Sequence, residues 1–279
     1  MKQGQVCQGK GDMSDQTKKL KTRPPLYLYS LYKRKSFFLL IIAALLLGQV
    51  PLLANLLSWQ MSFFHEISHG LAALATGGDL LKIELHFSGA GICYTARGIR
   101  WLVLLAGYAG ASFWGLLIYR LAGAGSDPGQ PSRRQNCEGD PLPSNEEKIK
   151  PTPESGKNQG LLPALGLAAL LVAVGLLYAQ GIQTLIIIMS LAVLYLAAVK
   201  FRRHAPLRIF LKLAGMYIML DALKAPRALL NHQADSDSAK LAALTGLPEL
   251  IWISLWMATA LLCLVMAWKS EGRPEKRLK

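Results

Sequence analysis

Two histidines four residues apart, with a glutamate directly after the first, are the residues of this chain best suited to chemistry: His65-Glu66-Ile67-Ser68-His69. On a helix the i, i+4 spacing puts both imidazoles on one face. Two ring nitrogens so placed can bind one tetrahedral zinc ion at about 2.0–2.1 Å each. Glu66 is displaced around the helix but stays close to such an ion. Its carboxylate can take a proton from an activated water and pass it to a leaving amine. The setting adds weight, because Glu66 is the only charged residue between Lys35 and Asp79. Inside a membrane, unpaired His and Glu each cost about 2.5 kcal/mol or more, so they mark function by default. The alternative uses of such residues are an interhelical hydrogen-bond network or a proton relay.

Two histidines leave a zinc site one protein ligand short. Asp221 is the first candidate, an isolated carboxylate after the apolar run Met216 to Leu220. Its alternative use is an ion pair with Lys224, three residues on. His86, His232, Asp235 and Asp237 fall in expected loops or on an expected hairpin and rank behind it.

These side chains need a scaffold, and composition says which kind. Of 279 residues, 52% are hydrophobic and 17% charged, against about 25% charged in an average water-soluble chain. Charge-free runs extend over Ser36–Phe64, Trp101–Tyr119, Asn158–Val199 and Leu250–Trp268, and roughly 20 apolar residues suffice to cross a bilayer. The expected fold class is an all-α polytopic membrane protein of about six to seven transmembrane helices, with a small β-hairpin after the helix that carries the histidines. Helices are expected near 36–54, 55–76, 101–121, 161–178, 182–199, 207–228 and 249–268. Between the second and third, Leu81, Ile83, Leu85 and Phe87 alternate with polar residues, which predicts a hairpin at about 80–95. Gly107, Ala111 and Gly115 form a small-residue face that lets helices approach closely.

The expected organisation is a basic disordered tail at 1–35, membrane helices and hairpin at 36–122, a flexible polar loop at 123–159, further membrane helices at 160–268 and a basic tail at 269–279. The leader before Ser36 is too long for a typical signal peptide, so the first apolar segment is expected to be an uncleaved anchor. The net charge of +14 gathers in these flanks, the pattern of segments held at an anionic membrane surface. No basic stripe is interleaved with aromatics, which argues against nucleic acid as a partner. Basic loops agree on one membrane side while the N-terminal tail disagrees, so orientation stays open. Four scattered cysteines form no Cys-x-x-Cys pair and are expected as free thiols.

The stretch HEISHGLAALATGG (65–78), the hairpin end GAGICYTARG (89–98) and the helix RGIRWLVLLAGYAGASFWG (97–115) resemble the site-2 protease family of intramembrane zinc metallopeptidases. LDAL at 220–223 and SDSAKLAALTGLPELIWISLW at 236–256 extend the likeness, which is to the compact bacterial and plant branch. The resemblance implies a multi-pass hydrolase of a bacterial cell membrane, in contact with the lipid bilayer, that cleaves membrane-anchored protein substrates in regulated intramembrane proteolysis. It implies one Zn²⁺ per chain held by His65, His69 and Asp221, with Glu66 as the catalytic acid/base. Asp221 would match the aspartate of the family's Leu-Asp-Gly motif. Ala222 replaces that glycine here, however, and the upstream Asn-Pro element is missing. Asp237, in the compact branch's Ser-Asp element, is the reserve ligand. The hairpin would hold an extended substrate through Ile83, Leu85 and Phe87, an open strand edge pairing with it; alternatively the hairpin only fills space. A non-proteolytic metal-binding membrane protein or a transporter is the competing reading of the whole chain.

Overall fold

The computed structural model describes residues 26–123, 161–200, 204–228 and 236–271. The tail before residue 26, the polar loop at 124–160, the tail after residue 271, and His232 and Asp235 lie outside the described residues. Those described form eight helices and one two-stranded hairpin.

Helix α1 (Leu26–Leu47) and helix α2 (Pro51–Ala75) part at Gly48 to Val50. Pro51 sits in the first turn of α2, where its missing N–H removes no helical hydrogen bond. The expected boundary near residue 54 therefore moves back to the proline. At the other end α1 begins at Leu26, inside the stretch expected to be tail.

The hairpin pairs β1 (Asp79–Leu85) with β2 (Gly91–Ala96) in antiparallel register, Ile83 facing Cys93 and Leu85 facing Gly91. An irregularity between Leu80 and Lys82 breaks the expected alternation. It turns Leu81 outward and puts Leu80 inside with Ile83 and Leu85. Leu80 packs onto the bare backbone of Gly70, which locks the hairpin against α2.

After α3 (Arg100–Gly123) come α4 (Leu161–Leu177), α5 (Ile182–Lys200), α6 (His204–Ala228), α7 (Asp237–Thr245) and α8 (Glu249–Glu271). The short α7 was not expected from the hydrophobic pattern. Local polar chemistry makes it: the Ala239 N–H donates to the Ser236 side chain at 3.2 Å, and Gly246 ends the helix in the left-handed region.

Helix α3 is the hub, packed against α2, α6 and α8. Its small-residue face serves two neighbours. A Cβ at Gly115 would stand 2.8 Å from the Gly215 carbonyl oxygen, so the α3–α6 crossing depends on bare backbone on both sides, while Gly107 faces α2. Helices α3, over Arg100–Ala122, and α8 are long and apolar enough to cross a membrane, and Lys35–Leu47, Ala164–Leu177 and Ile182–Ala197 are shorter apolar helices. Helices α2 and α6 reach 25 residues each, but polar side chains dilute them: Gln60, His65, Glu66 and His69 in one, Lys212 and Asp221 in the other. Phe38, Ile42, Leu176, Leu261 and Leu262 point outward, an apolar exposure that suits a lipid surround better than water.

Candidate metal centre

His65, Glu66 and His69 lie in the C-terminal half of α2, where the helix passes between the hairpin and α3. The i, i+4 spacing brings the two imidazoles together: their Nε2 atoms are 3.0 Å apart and the rings meet edge to face. Room for both rings comes from Gly107 on α3. A Cβ there would stand 2.5 Å from His65 Cε1 and 2.6 Å from His69 Nε2.

The third donor arrives from α7. Asp237 Oδ2 stands 3.2 Å from His65 Nε2 and 3.1 Å from His69 Nε2. Its helix is short but fixed. Ser236 caps it, the Ser238 hydroxyl donates to Glu249 Oε2 at 3.2 Å, and Leu241 is buried. Position in the first turn also gives the Asp237 carboxylate the favourable end of the α7 dipole.

Whether this set suits a cation can be decided from its lone pairs. His69 Nδ1–H donates to the Val103 carbonyl at 2.6 Å, which fixes the tautomer and leaves Nε2 as a bare acceptor in the neutral ring. Asp237 contributes a second acceptor. His65 offers Nε2 to the same point, and its Nδ1 is buried without a partner among the described residues. Three acceptors about 3 Å apart repel one another unless a proton or a metal cation sits among them. Two ligands of a tetrahedral zinc at about 2.0–2.1 Å stand roughly 3.3 Å from each other, close to the separations seen here. The donor set fits zinc in number, type and spacing.

Glu66 is buried beside the histidines and faces the hairpin. The Cys93 backbone N–H reaches its carboxylate. Gly91 makes that approach possible, since a Cβ there would lie 2.7 Å from Glu66 Oε1. Burial pushes the Cys93 thiol up to about 12. Its sulfur lies outside the group of possible ligand atoms formed by His65, His69 and Asp237.

Asp221 stands elsewhere. It is half-buried on α6, within electrostatic reach of Lys224, Tyr217 and Tyr108. Among the described residues, the group of possible ligand atoms within 4.8 Å of one another is His65, His69 and Asp237, without Asp221. Turning to the hairpin residues, Ile83 and Leu85 are fully buried, so a substrate could not touch their side chains without rearrangement. The outer edge of β1 is also taken. Ile83 N–H donates to the Tyr178 carbonyl at 2.8 Å and Gln180 N–H to the Ile83 carbonyl at 3.1 Å, both from the α4–α5 connection. Leu85 N–H donates to Thr184 Oγ1 at 2.9 Å. Phe87 is exposed at the turn and packs on Trp59, whose indole N–H donates to the Phe87 carbonyl.

The family model for peptidase M50B-like proteins matches residues 38–128 and 155–267, well over half of the chain, and spans His65, Glu66, His69, Asp221 and Asp237. The chain belongs to the peptidase M50B-like family. No curated protein and no solved structure matches it. An M50B-like assignment agrees with the site-2 protease resemblance, and it makes the chain a peptidase-family protein for which a protein is the natural substrate. Site-2 proteases are membrane proteins, in keeping with the two long apolar helices, and M50 enzymes are in general zinc-dependent, in keeping with the His-His-Asp group.

Gly107, Gly91 and helix α7 are the parts of this M50B-like site that hydropathy alone missed. Each had a signal of another kind. Gly107 belongs to the small-residue face, Gly91 opens β2 directly after the turn, and Ser236, Gly246 and Pro248 bracket a helix of nine residues.

Proposed function

We propose that this chain is a zinc-dependent intramembrane endopeptidase, a multi-pass protein of about six to seven spans, that hydrolyses peptide bonds of membrane-anchored proteins. The observation that carries this reading is the convergence of His65 Nε2, His69 Nε2 and Asp237 Oδ2 within 3.0–3.2 Å beside the buried carboxylate of Glu66. In it Asp237, rather than Asp221, is the third ligand.

A zinc ion held there would acidify water to near neutral pH and polarise the scissile carbonyl. The chain's own residues do the rest. Val103 fixes the tautomer of His69, and Ser236 with Ser238 fixes the helix that presents Asp237. Glu66 takes a proton from the attacking water and returns it to the departing amine nitrogen. The Cys93 amide and the bare Gly91 hold its carboxylate at the working position. The hairpin and α3 close over the histidines and keep bulk water away, which strengthens each charge interaction inside. Of the three hairpin residues first expected to touch substrate, Phe87 is the exposed one and keeps that role in this reading.

Glu66→Gln tests the reading. It keeps the shape of the side chain and removes the base. Cleavage of a membrane-anchored substrate by the purified protein should fall by about 10²–10⁴-fold, with zinc content unchanged by atomic absorption. Cleavage at the wild-type rate by this variant would end the assignment of Glu66. A wild-type protein that holds zinc but cuts no membrane-anchored substrate would instead favour a non-proteolytic relative.

A further inference from the structure

Peptide hydrolysis needs a donor for the negative charge that grows on the carbonyl oxygen, and most of the hydroxyls around this site are already committed. Ser68 donates to the Phe64 carbonyl at 2.6 Å, Ser112 to the Tyr108 carbonyl at 2.9 Å and Ser238 to Glu249. Ser62 is bound to the Gly89 carbonyl. The hydroxyl of Tyr108 differs, since no group among the described residues takes it in a hydrogen bond.

Tyr108 follows Gly107, the residue that makes space for both imidazoles, so its ring enters the site from the α3 side. The ring is wedged between His65, centroids 4.4 Å apart at 68°, and Trp256 at 5.0 Å. Trp256 is itself fully buried and anchored by its indole N–H to the Leu105 carbonyl at 3.0 Å. The phenol is thus held in one orientation by two aromatic neighbours, yet the side chain is only half-buried. Its hydroxyl lies within electrostatic reach of Asp237, Glu66 and, more weakly, Asp221.

On the peptidase reading, on which this inference rests, we infer that Tyr108 is a catalytic residue whose hydroxyl donates a hydrogen bond to the substrate carbonyl oxygen as water adds to the carbon. The step moves no proton to or from Tyr108. The water oxygen forms the new C–O bond, Glu66 receives the water's proton, and the electron pair of the C=O bond settles on the oxygen that Tyr108 faces. When the C–N bond breaks, the pair returns to the carbonyl and Glu66 delivers its proton to the nitrogen. A donor aimed at charge that exists only in the transition state raises kcat more than it tightens substrate binding.

Tyr108→Phe separates this role from packing, because the phenyl ring keeps the contacts with His65 and Trp256. We expect kcat to fall by about 10²-fold, KM to stay within about threefold, and zinc content and melting temperature in detergent to match wild type. A phosphinic peptide, whose tetrahedral P–O⁻ mimics the oxygen in question, should bind Tyr108→Phe at least about tenfold more weakly, while a substrate-derived cleavage product binds equally well. Wild-type kcat in Tyr108→Phe, or undiminished phosphinate affinity, would overturn the role. So would a loss of zinc or of melting temperature in proportion to activity, which marks a packing role. These outcomes stand apart from failure of the peptidase reading, in which the wild-type protein itself cleaves nothing.

Discussion

Helix α3 joins two buried polar clusters, which meet it at Gly107 and Tyr119, roughly 18 Å apart along its axis, and they are built on opposite principles. At one end Tyr119, Lys212 and Glu271 tie α3, α6 and α8 together. Lys212 forms an ion pair with Glu271 Oε1, Tyr119 donates to the same oxygen at 2.9 Å, and the ammonium lies over the Tyr119 ring. One cation meets one anion, and the phenol finds an acceptor. At the other end His65, His69, Asp237 and Glu66 bring two carboxylates and two imidazoles together with no lysine or arginine in the group, and His65 Nδ1 has no partner among the described residues. A balanced cluster needs nothing from outside and stabilises the fold. An unbalanced cluster in the same helix bundle is strained until something positive enters it, so imbalance rather than burial distinguishes a candidate working site from a structural one.

The sharpest way to break this comparison is to remove one acceptor from the unbalanced cluster. Even partners that merely orient a metal ligand are worth 10–100-fold in affinity. Removing a donor atom itself in Asp237→Ala should therefore lower zinc affinity by at least about 10³-fold, or about 4 kcal/mol, measured by competition with a chromophoric chelator. Asp221→Ala should leave that affinity within about twofold, because Asp221 lies outside the donor set. Equal losses in the two variants would erase the distinction drawn between the two aspartates.

Removing one partner from the balanced cluster should cost stability and spare the metal. A buried charge left unpaired typically costs 3–5 kcal/mol. Because Lys212 sits on a flexible stem that can reach toward the interface, about 2–3 kcal/mol is the expected loss for Glu271→Gln, read from unfolding in mixed detergent. The paired replacement Lys212→Met with Glu271→Met should recover most of it, as apolar residues of similar volume often do. Zinc affinity should stay at the wild-type level in both. A loss of zinc in Glu271→Gln with the fold intact would show that the two ends are coupled and the comparison too simple.

Legibility in the sequence followed the same divide between local and distant. The pair His65 and His69 with Glu66 was readable because one helical turn contains it, and the helices of the apolar runs were readable because their patterns are long. The identity of the third donor turned on tertiary placement. Asp221 drew attention as a carboxylate inside an apolar run, whereas Asp237 lies in a polar stretch where a carboxylate raises no question. What favours Asp237 is the packing of α7 against α3 and α8, which no spacing rule encodes. The hairpin itself was legible, from 79 to 96; what alternation could not show is the irregularity between Leu80 and Lys82, which turns Leu81 outward and Leu80 inward while Ile83 and Leu85 keep one face. The span count also blurred, because polar side chains lower the hydropathy of α2 and α6, His65, Glu66 and His69 in one and Lys212 and Asp221 in the other.

The smallest effect tests how finely the unbalanced cluster is fitted. Gly107→Ala adds one methyl where His65 Cε1 would be 2.5 Å away and His69 Nε2 2.6 Å away, well inside van der Waals contact. The rings must give way by tilting or by parting α2 from α3, and either moves the two Nε2 atoms relative to Asp237. Zinc affinity should fall about tenfold, or about 1.4 kcal/mol. Global stability should change less, since the overpacking penalty of about 1–3 kcal/mol is offset by the better helix propensity of alanine, worth about 1 kcal/mol. Gly166→Ala on α4, where an added Cβ meets nothing within 4 Å, supplies the control, gaining the propensity term without a clash. If Gly107→Ala binds zinc as tightly as Gly166→Ala does, the rings have slack, and the close approach of the three donors does not depend on a cradle that α3 imposes.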